Sequence, residues 1–304
     1  MSSNRWARTI AYPLSVCCAF LMLAAIGECA TTAREQLAKL TDKQFQDLRK
    51  AALHGDANAA TVLGVAYEEG IRVAQDLTEA VKWYRQAAAD NDVQVAHHLA
   101  LMYEQGRGTA VDFSEAARWY MKAASLGYAP SQCNLGNLYS DGRGVSRDPQ
   151  QAAKWYEIAA RGGNAQAQSN IGFMYNHGQG VVHDDQQAVY WYRKAAEQGF
   201  AIAQRNLGVM YVLGQGTAVN EAEALAWFAK AAASGAKRAL VNEALVYMQG
   251  TQTPHDYAAA QQLLLQAVAL GVEDAKPLLT RCQAALASSK TSETASAAQG
   301  HTSH

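Results

Sequence analysis

The sequence predicts an all-α fold, a solenoid of six 36-residue helix-pair repeats with terminal capping helices. Three columns of residues predict it. Tyr67, Tyr103, Tyr139, Tyr175, Tyr211 and Tyr247 recur every 36 residues, and Trp83, Trp119, Trp155, Trp191 and Trp227 keep the same interval. Gly70, Gly106, Gly142, Gly178, Gly214 and Gly250 follow the Tyr column three residues later. A period of this length is the signature of units that bury their apolar faces against neighbours rather than alone. With only 5 Pro in 304 residues and abundant Ala, the composition suits helices.

The elements follow in chain order. Arg5 and Arg8 precede an uncharged apolar run, Ile10 to Ile26, which reads as the charged and apolar regions of an export signal over residues 1–30. Residues 31–56 are expected to form an N-terminal capping helix. Ala51, Ala52 and Gly55 keep the repeat register there, while Asp47 and Leu48 stand where the aromatic pair belongs. The six repeats occupy 57–92, 93–128, 129–164, 165–200, 201–236 and 237–272. A closing helix is expected over 273–287, and the Ser/Thr/Ala-rich segment 288–304 has too little to bury and is expected to be disordered.

Within a repeat, the first helix carries small and apolar residues at helical spacing, as at Ala167, Ile171, Met174 and Tyr175, and stops at a Gly suited to a left-handed C-cap. Asp76, Asp112, Asp148, Asp184, Asn220 and Asp256 then begin the second helix as N-caps. Glu79, Glu115, Gln151, Gln187 and Glu223 stand three residues on, the capping-box position. The second helix buries a stripe such as Ala188, Trp191, Tyr192, Ala195 and Ala196.

Leu207-Gly208, Tyr211, Gly214, Gly216, Ala224, Trp227-Phe228, Ala231-Ala232 and Gly235 together resemble the signature of the Sel1-like repeat family, a relative of the tetratricopeptide repeat. The resemblance spans residues 57–272. It departs at the ends, with Arg72 and Gln252 in place of the second loop Gly and Leu263-Leu264 in place of the aromatic pair, as degraded terminal units would. It implies a right-handed α/α superhelix whose first helices line the concave side.

On that implication, three columns face a partner groove: Val65, Leu101, Asn137, Phe173, Val209, Leu245; then Glu68, Glu104, Ser140, Asn176, Val212, Met248; then Thr61, His97, Cys133, Ser169, Arg205, Val241. Glu68 and Glu104, with Glu69, form an acidic mouth. Phe173, Val209, Val212, Leu213, Leu245 and Met248 form an apolar floor flanked by Arg205 and Arg238, the expected seat of a partner segment. Asn134, Asn170, Asn206 and Asn242 form a ladder beside these columns, expected to bond between adjacent helices.

Chemistry is sparse. Ser234 to Lys237 spells Ser-x-x-Lys, but Ser234 falls at a helix end and the companion elements of penicillin-recognising enzymes are missing. His97-His98 and the pair His177 and His183 lack a third ligand at zinc spacing and read as solvated or partner-facing. Cys133 and Cys282 are expected as free thiols. A net charge of −1 gives no phosphate-binding excess, so nucleic acid is excluded. No catalytic residue, metal or cofactor is expected.

The expected function is a non-enzymatic protein-binding adaptor or regulator of the bacterial envelope. It would be periplasmic or secreted and monomeric, touching membrane only through an uncleaved signal. Alternatives are an immunity-type inhibitor of one secreted effector, a cell-wall or β-lactam-acting enzyme, or a glycan-binding protein.

Overall fold

The computed structural model describes residues 34–300 apart from residue 36, with side chains through Ser288. The expected export signal lies outside the described residues. Among those residues every regular element is helical, and no helix is long and apolar enough to cross a membrane. The chain divides into two compact units, one ending at Asp148 and the other beginning at Pro149.

The first unit holds α1 (Asp42–Leu53), α2 (Ala57–Glu69), α3 (Leu77–Ala87), α4 (Val93–Gln105), α5 (Phe113–Ser125) and α6 (Ala129–Asp141). The second holds α7 (Pro149–Arg161), α8 (Ala165–His177), α9 (Asp185–Glu197), α10 (Ala201–Leu213), α11 (Glu221–Ala233), α12 (Arg238–Gln249), α13 (Tyr257–Ala269) and α14 (Ala275–Gly300). The third repeat thus contributes its first helix to one unit and its second to the other. The last helix runs past Ala287 to Gly300, beyond the end read from the sequence. The stretch beyond Ala287 has no Pro, and no Gly before Gly300, to stop it.

The second helices α3, α5, α9, α11 and α13 start where a short polar side chain accepts backbone N–H groups. Asp76 and Asp112 each take two, and Asp184, Asn220 and Asp256 one each. The reciprocal half of the capping box forms at Thr41, whose backbone N–H donates to Gln44. Glu79 and Glu115 turn instead to Lys82 and Arg118, because a cation on the same face outbids a backbone N–H.

Packing explains the repeat's small residues. Gly208 on α10 sits so close to the Phe228 ring that a Cβ there would lie 2.6 Å from it. Removing that one carbon lets a fully buried aromatic lie across the helix backbone. The loop Gly matters differently. Gly216 has φ +64° and its Cα abuts the carbonyl of Asp185, the first residue of the preceding repeat's second helix; a Cβ would come within 2.1 Å of that oxygen. The same contact recurs at Gly108 on Leu77 and Gly144 on Phe113. Neighbouring repeats are therefore joined backbone to backbone at this point.

The two departures from the loop Gly are built contacts rather than decay. Arg72 adopts φ 64° and sends its guanidinium back to α1, where it pairs with Asp42 and lies 5.7 Å from the Phe45 ring centre. At the other end, Glu221 opens α11 and turns its side chain inward, with only 4% of the residue exposed. It accepts bonds from the backbone N–H groups of Thr251 at 2.7 Å, Gln252 at 3.0 Å and Thr253 at 2.7 Å. Where other repeats pack a loop Gly against this helix start, a carboxylate here holds the loop through its N–H groups.

A second set of inter-repeat bonds carries a periodic signal that the reading of the sequence passed over. Gln132, Gln168 and Gln204 stand 36 residues apart, are buried, and donate to the carbonyls of Ala124, Ala160 and Ala196 at the end of the preceding second helix. Each adds a second donor to a carbonyl that already accepts the N–H of Gly127, Gly163 or Gly199. The Asn ladder works in the same direction, with Asn134 hydrogen-bonded to Tyr120 and Asn206 to Tyr192.

Candidate functional site

Of the predicted acidic mouth, Glu68 is buried, Glu104 is partly buried, and Glu69 is exposed and paired with Arg34. Glu68 is only 9% exposed and accepts three partners: Tyr84 Oη at 2.7 Å, His98 Nε2 at 2.9 Å and Arg107 Nη2 at 2.8 Å. Burial pushes its carboxyl up, but His98, Tyr84 and Arg107 outweigh that and bring it down to about 2. Glu104 repeats the arrangement one unit on, half-buried beneath Tyr120 Oη at 2.6 Å and Arg143 at 3.6 Å. Each Glu therefore ties its own repeat's Tyr to the next repeat's loop Arg. The spacing signal was available, since Arg107 and Arg143 both follow the loop Gly, but composition alone does not tell a surface acid from a paired interior one.

His97 and His98 are partly buried and both bonded within the protein. His98 takes the Asn-ladder position and meets Glu68, with its ring edge-on to Tyr84 at 5.1 Å. His97 lies 2.8 Å from Ser131 Oγ, between Tyr120 and Tyr128. Burial and the neighbouring His98 lower its pKa to about 4 from an ordinary 6.5. In that window the unfolded chain binds a proton that the folded chain refuses, so stability falls as pH drops from 6.5 toward 4. The expected loss is about 2 kcal/mol, after allowing for partial solvent screening. Urea midpoints at pH 7 and pH 4.5 measure it, and His97→Gln flattens the dependence.

The third column is largely interior. Cys133, Ser169 and Val241 are buried, because on a helix stacked between neighbours this column points at the adjoining repeat. Cys133 and Cys282 are both free, buried thiols, and burial pushes Cys133 up to about 12. Such a thiol is inert at neutral pH.

In the second unit the apolar floor is partly assembled. Val209, Val212 and Leu213 from α10 face Leu245 from α12 across a cleft of about 360 Å³. Asn242, Gln249, Glu221 and Thr251 add polar edges, and Phe228 and Val246 close its base. Leu213 is 58% exposed. Phe173, 41% exposed, holds the column of Val209 one repeat earlier and stacks on His177 with ring centres 4.0 Å apart. Met248 does not belong to this surface. It is 7% exposed and packs with Leu240, Ala244 and Leu264, since the last repeat's smaller Leu264 leaves room for it inward. Arg205 bonds Asn206 at 3.1 Å, and exposed Arg238 pairs with Asp274 at 3.4 Å, so neither lines the cleft.

Among the described residues no group of three His, Cys, Asp or Glu side chains is placed to hold a metal ion. Ser234 is the exposed C-cap of α11, with its backbone N–H bonded back into the helix, which is the wrong end of a helix for an activated nucleophile.

A family model described as Sel1 repeat matches residues 57–92, 93–128, 129–164, 165–200, 201–235 and 239–272, more than half of the chain. The chain belongs to the Sel1 repeat family. No curated protein matches it. Among solved structures it is similar to c5321, a protective antigen present in uropathogenic Escherichia coli strains and displaying an SLR fold, with 29% identity and a TM-score of 0.73 over 84% of this chain. The chain spans 56% of that protein's length. It is also similar to a Sel1 repeat protein from Oxalobacter formigenes, with 26% identity and a TM-score of 0.67, over 83% of this chain and 96% of that one. Sel1-repeat proteins generally mediate protein–protein interaction, and the family is typically a non-enzymatic scaffold.

Proposed function

We propose that this Sel1-repeat protein is a non-enzymatic adaptor of the bacterial envelope, exported by its N-terminal signal, that holds a partner protein segment against the first helices of its fifth and sixth repeats. The observation that carries this reading is the cleft between α10 and α12. An exposed apolar rim at Leu213, apolar walls at Val209, Val212 and Leu245, and amide edges at Asn242 and Gln249 suit an apolar anchor on an extended backbone. Polar groups elsewhere on the first helices, such as Glu68 and Glu104, are consumed by internal bonds and offer a partner little.

The test uses residues 34–304 as bait in an envelope extract, beside Leu213→Asp. Because Leu213 is exposed, this change leaves the melting temperature within about 2 °C while placing a charge at the anchor. A partner held by the parent and lost by the variant supports the reading. Equal retention by both overturns it. Met248→Asp is unsuitable, since it buries a charge in the core.

A further inference from the structure

A second cleft interrupts the repeat pattern at its best-kept position. Leu63, Leu99, Leu135, Ile171 and Leu207 occupy one column, and all five are fully buried. The sixth member of that column is Glu243 on α12. It is half-buried and lines a cleft of about 460 Å³ walled by Ala229, Ala232 and Ala233 of α11, Leu240 of α12 and Leu270 at the end of α13. This is also the repeat that carries Leu263 in place of the Trp found in the other five. The cleft shares no lining residue with the one between α10 and α12.

Glu243 is the sole carboxylate in these walls, and among the described residues no hydrogen bond or ion pair engages it. Lys237, the one cation at the rim, donates instead to the Leu270 carbonyl at 3.3 Å. Burial holds the Glu243 carboxyl above its ordinary range. A carboxylate placed where five repeats use an aliphatic side chain weakens the core, and that cost has no structural return. Among the described residues the two buried acids both have donors: Glu68 has three and Glu221 has a loop.

We propose that this cleft is a binding site for a small organic cation, an ammonium group on an apolar body, with Glu243 as its counter-ion. The volume is that of a small-molecule pocket. Its Ala and Leu walls, interrupted by Gln266, would cover the body while the carboxylate takes the ammonium.

The probe is phenethylamine, titrated calorimetrically into the full chain, with phenethyl alcohol as the uncharged match. The expected result is saturable one-to-one binding near millimolar, weakened about 10-fold or more by Glu243→Gln, and about 10-fold weaker for the alcohol. A companion variant reads the site without any ligand. Glu243→Leu restores the aliphatic column and is expected to raise the melting temperature by about 3 °C while abolishing amine binding. Amine binding unchanged in Glu243→Gln, or no saturable binding by the parent up to about 20 mM, would overturn the proposal. So would a lowered melting temperature for Glu243→Leu, because Glu243 would then not occupy the aliphatic slot.

Discussion

Glu68→Ala is expected to destabilise the first unit by about 3 kcal/mol. The change strands three partners at once. Tyr84, only 3% exposed, loses the acceptor for its hydroxyl, and His98 and Arg107 lose their counter-charge. Arg107 is 43% exposed in its side chain and can turn to water, which keeps the loss at the lower end for a broken buried ion pair. Urea unfolding followed by far-UV circular dichroism measures the effect. The equivalent Glu104→Ala is expected to cost about half as much, because Glu104 is less buried and its Arg143 stands at 3.6 Å. A matching pH dependence follows. The Glu68 pKa is depressed in the folded state, so its contribution is present above the ordinary carboxylate range and is lost as pH falls from 4.5 toward 2.

Glu221→Ala is expected to cost about 3 kcal/mol, felt at the last repeat. Three backbone N–H groups and the Thr251 hydroxyl converge on one carboxylate, and no other acceptor in that loop replaces it. Burial favours the protonated form, yet the donated backbone bonds outweigh it and hold the carboxyl below its usual value. Hydrogen exchange at Thr251, Gln252 and Thr253 reads the change directly, with protection lost there while amides of α8 and α9 keep theirs. Glu221→Gln retains one acceptor oxygen and is expected to recover only part of the stability.

The repeat fold was legible because it is encoded redundantly. Tyr, Trp and Gly each recur on one register, an N-cap Asp or Asn precedes each second helix, and any one of these columns would have placed the helices. The surface was less legible, because a helix column states which direction a side chain points, not what meets it there. Met248 sits in the same column as Val212, yet the smaller Leu264 beneath it lets Met248 turn inward. Glu68 stands in that column too and is buried because Tyr84 and Arg107 arrive from elements 16 and 39 residues away. The ends misled for a related reason. Arg72 and Gln252 break the family pattern, but each break is answered by a charge on the adjoining helix, Asp42 or Glu221, that single-position comparison does not pair with it. Val209, Val212, Leu213 and Leu245 line one cleft.

The most direct test of the adaptor reading is site-specific photo-crosslinking in intact cells, with a benzophenone amino acid placed at Leu213 or, for comparison, at Val182. Both side chains are exposed, Leu213 by 58% and Val182 by 87%, but only Leu213 lies on the α10–α12 cleft. The account predicts one discrete adduct from position 213, abolished by the second-site change Val209→Asp, and none from position 182. Adducts at 182 alone, or the same adducts at both positions, would contradict it.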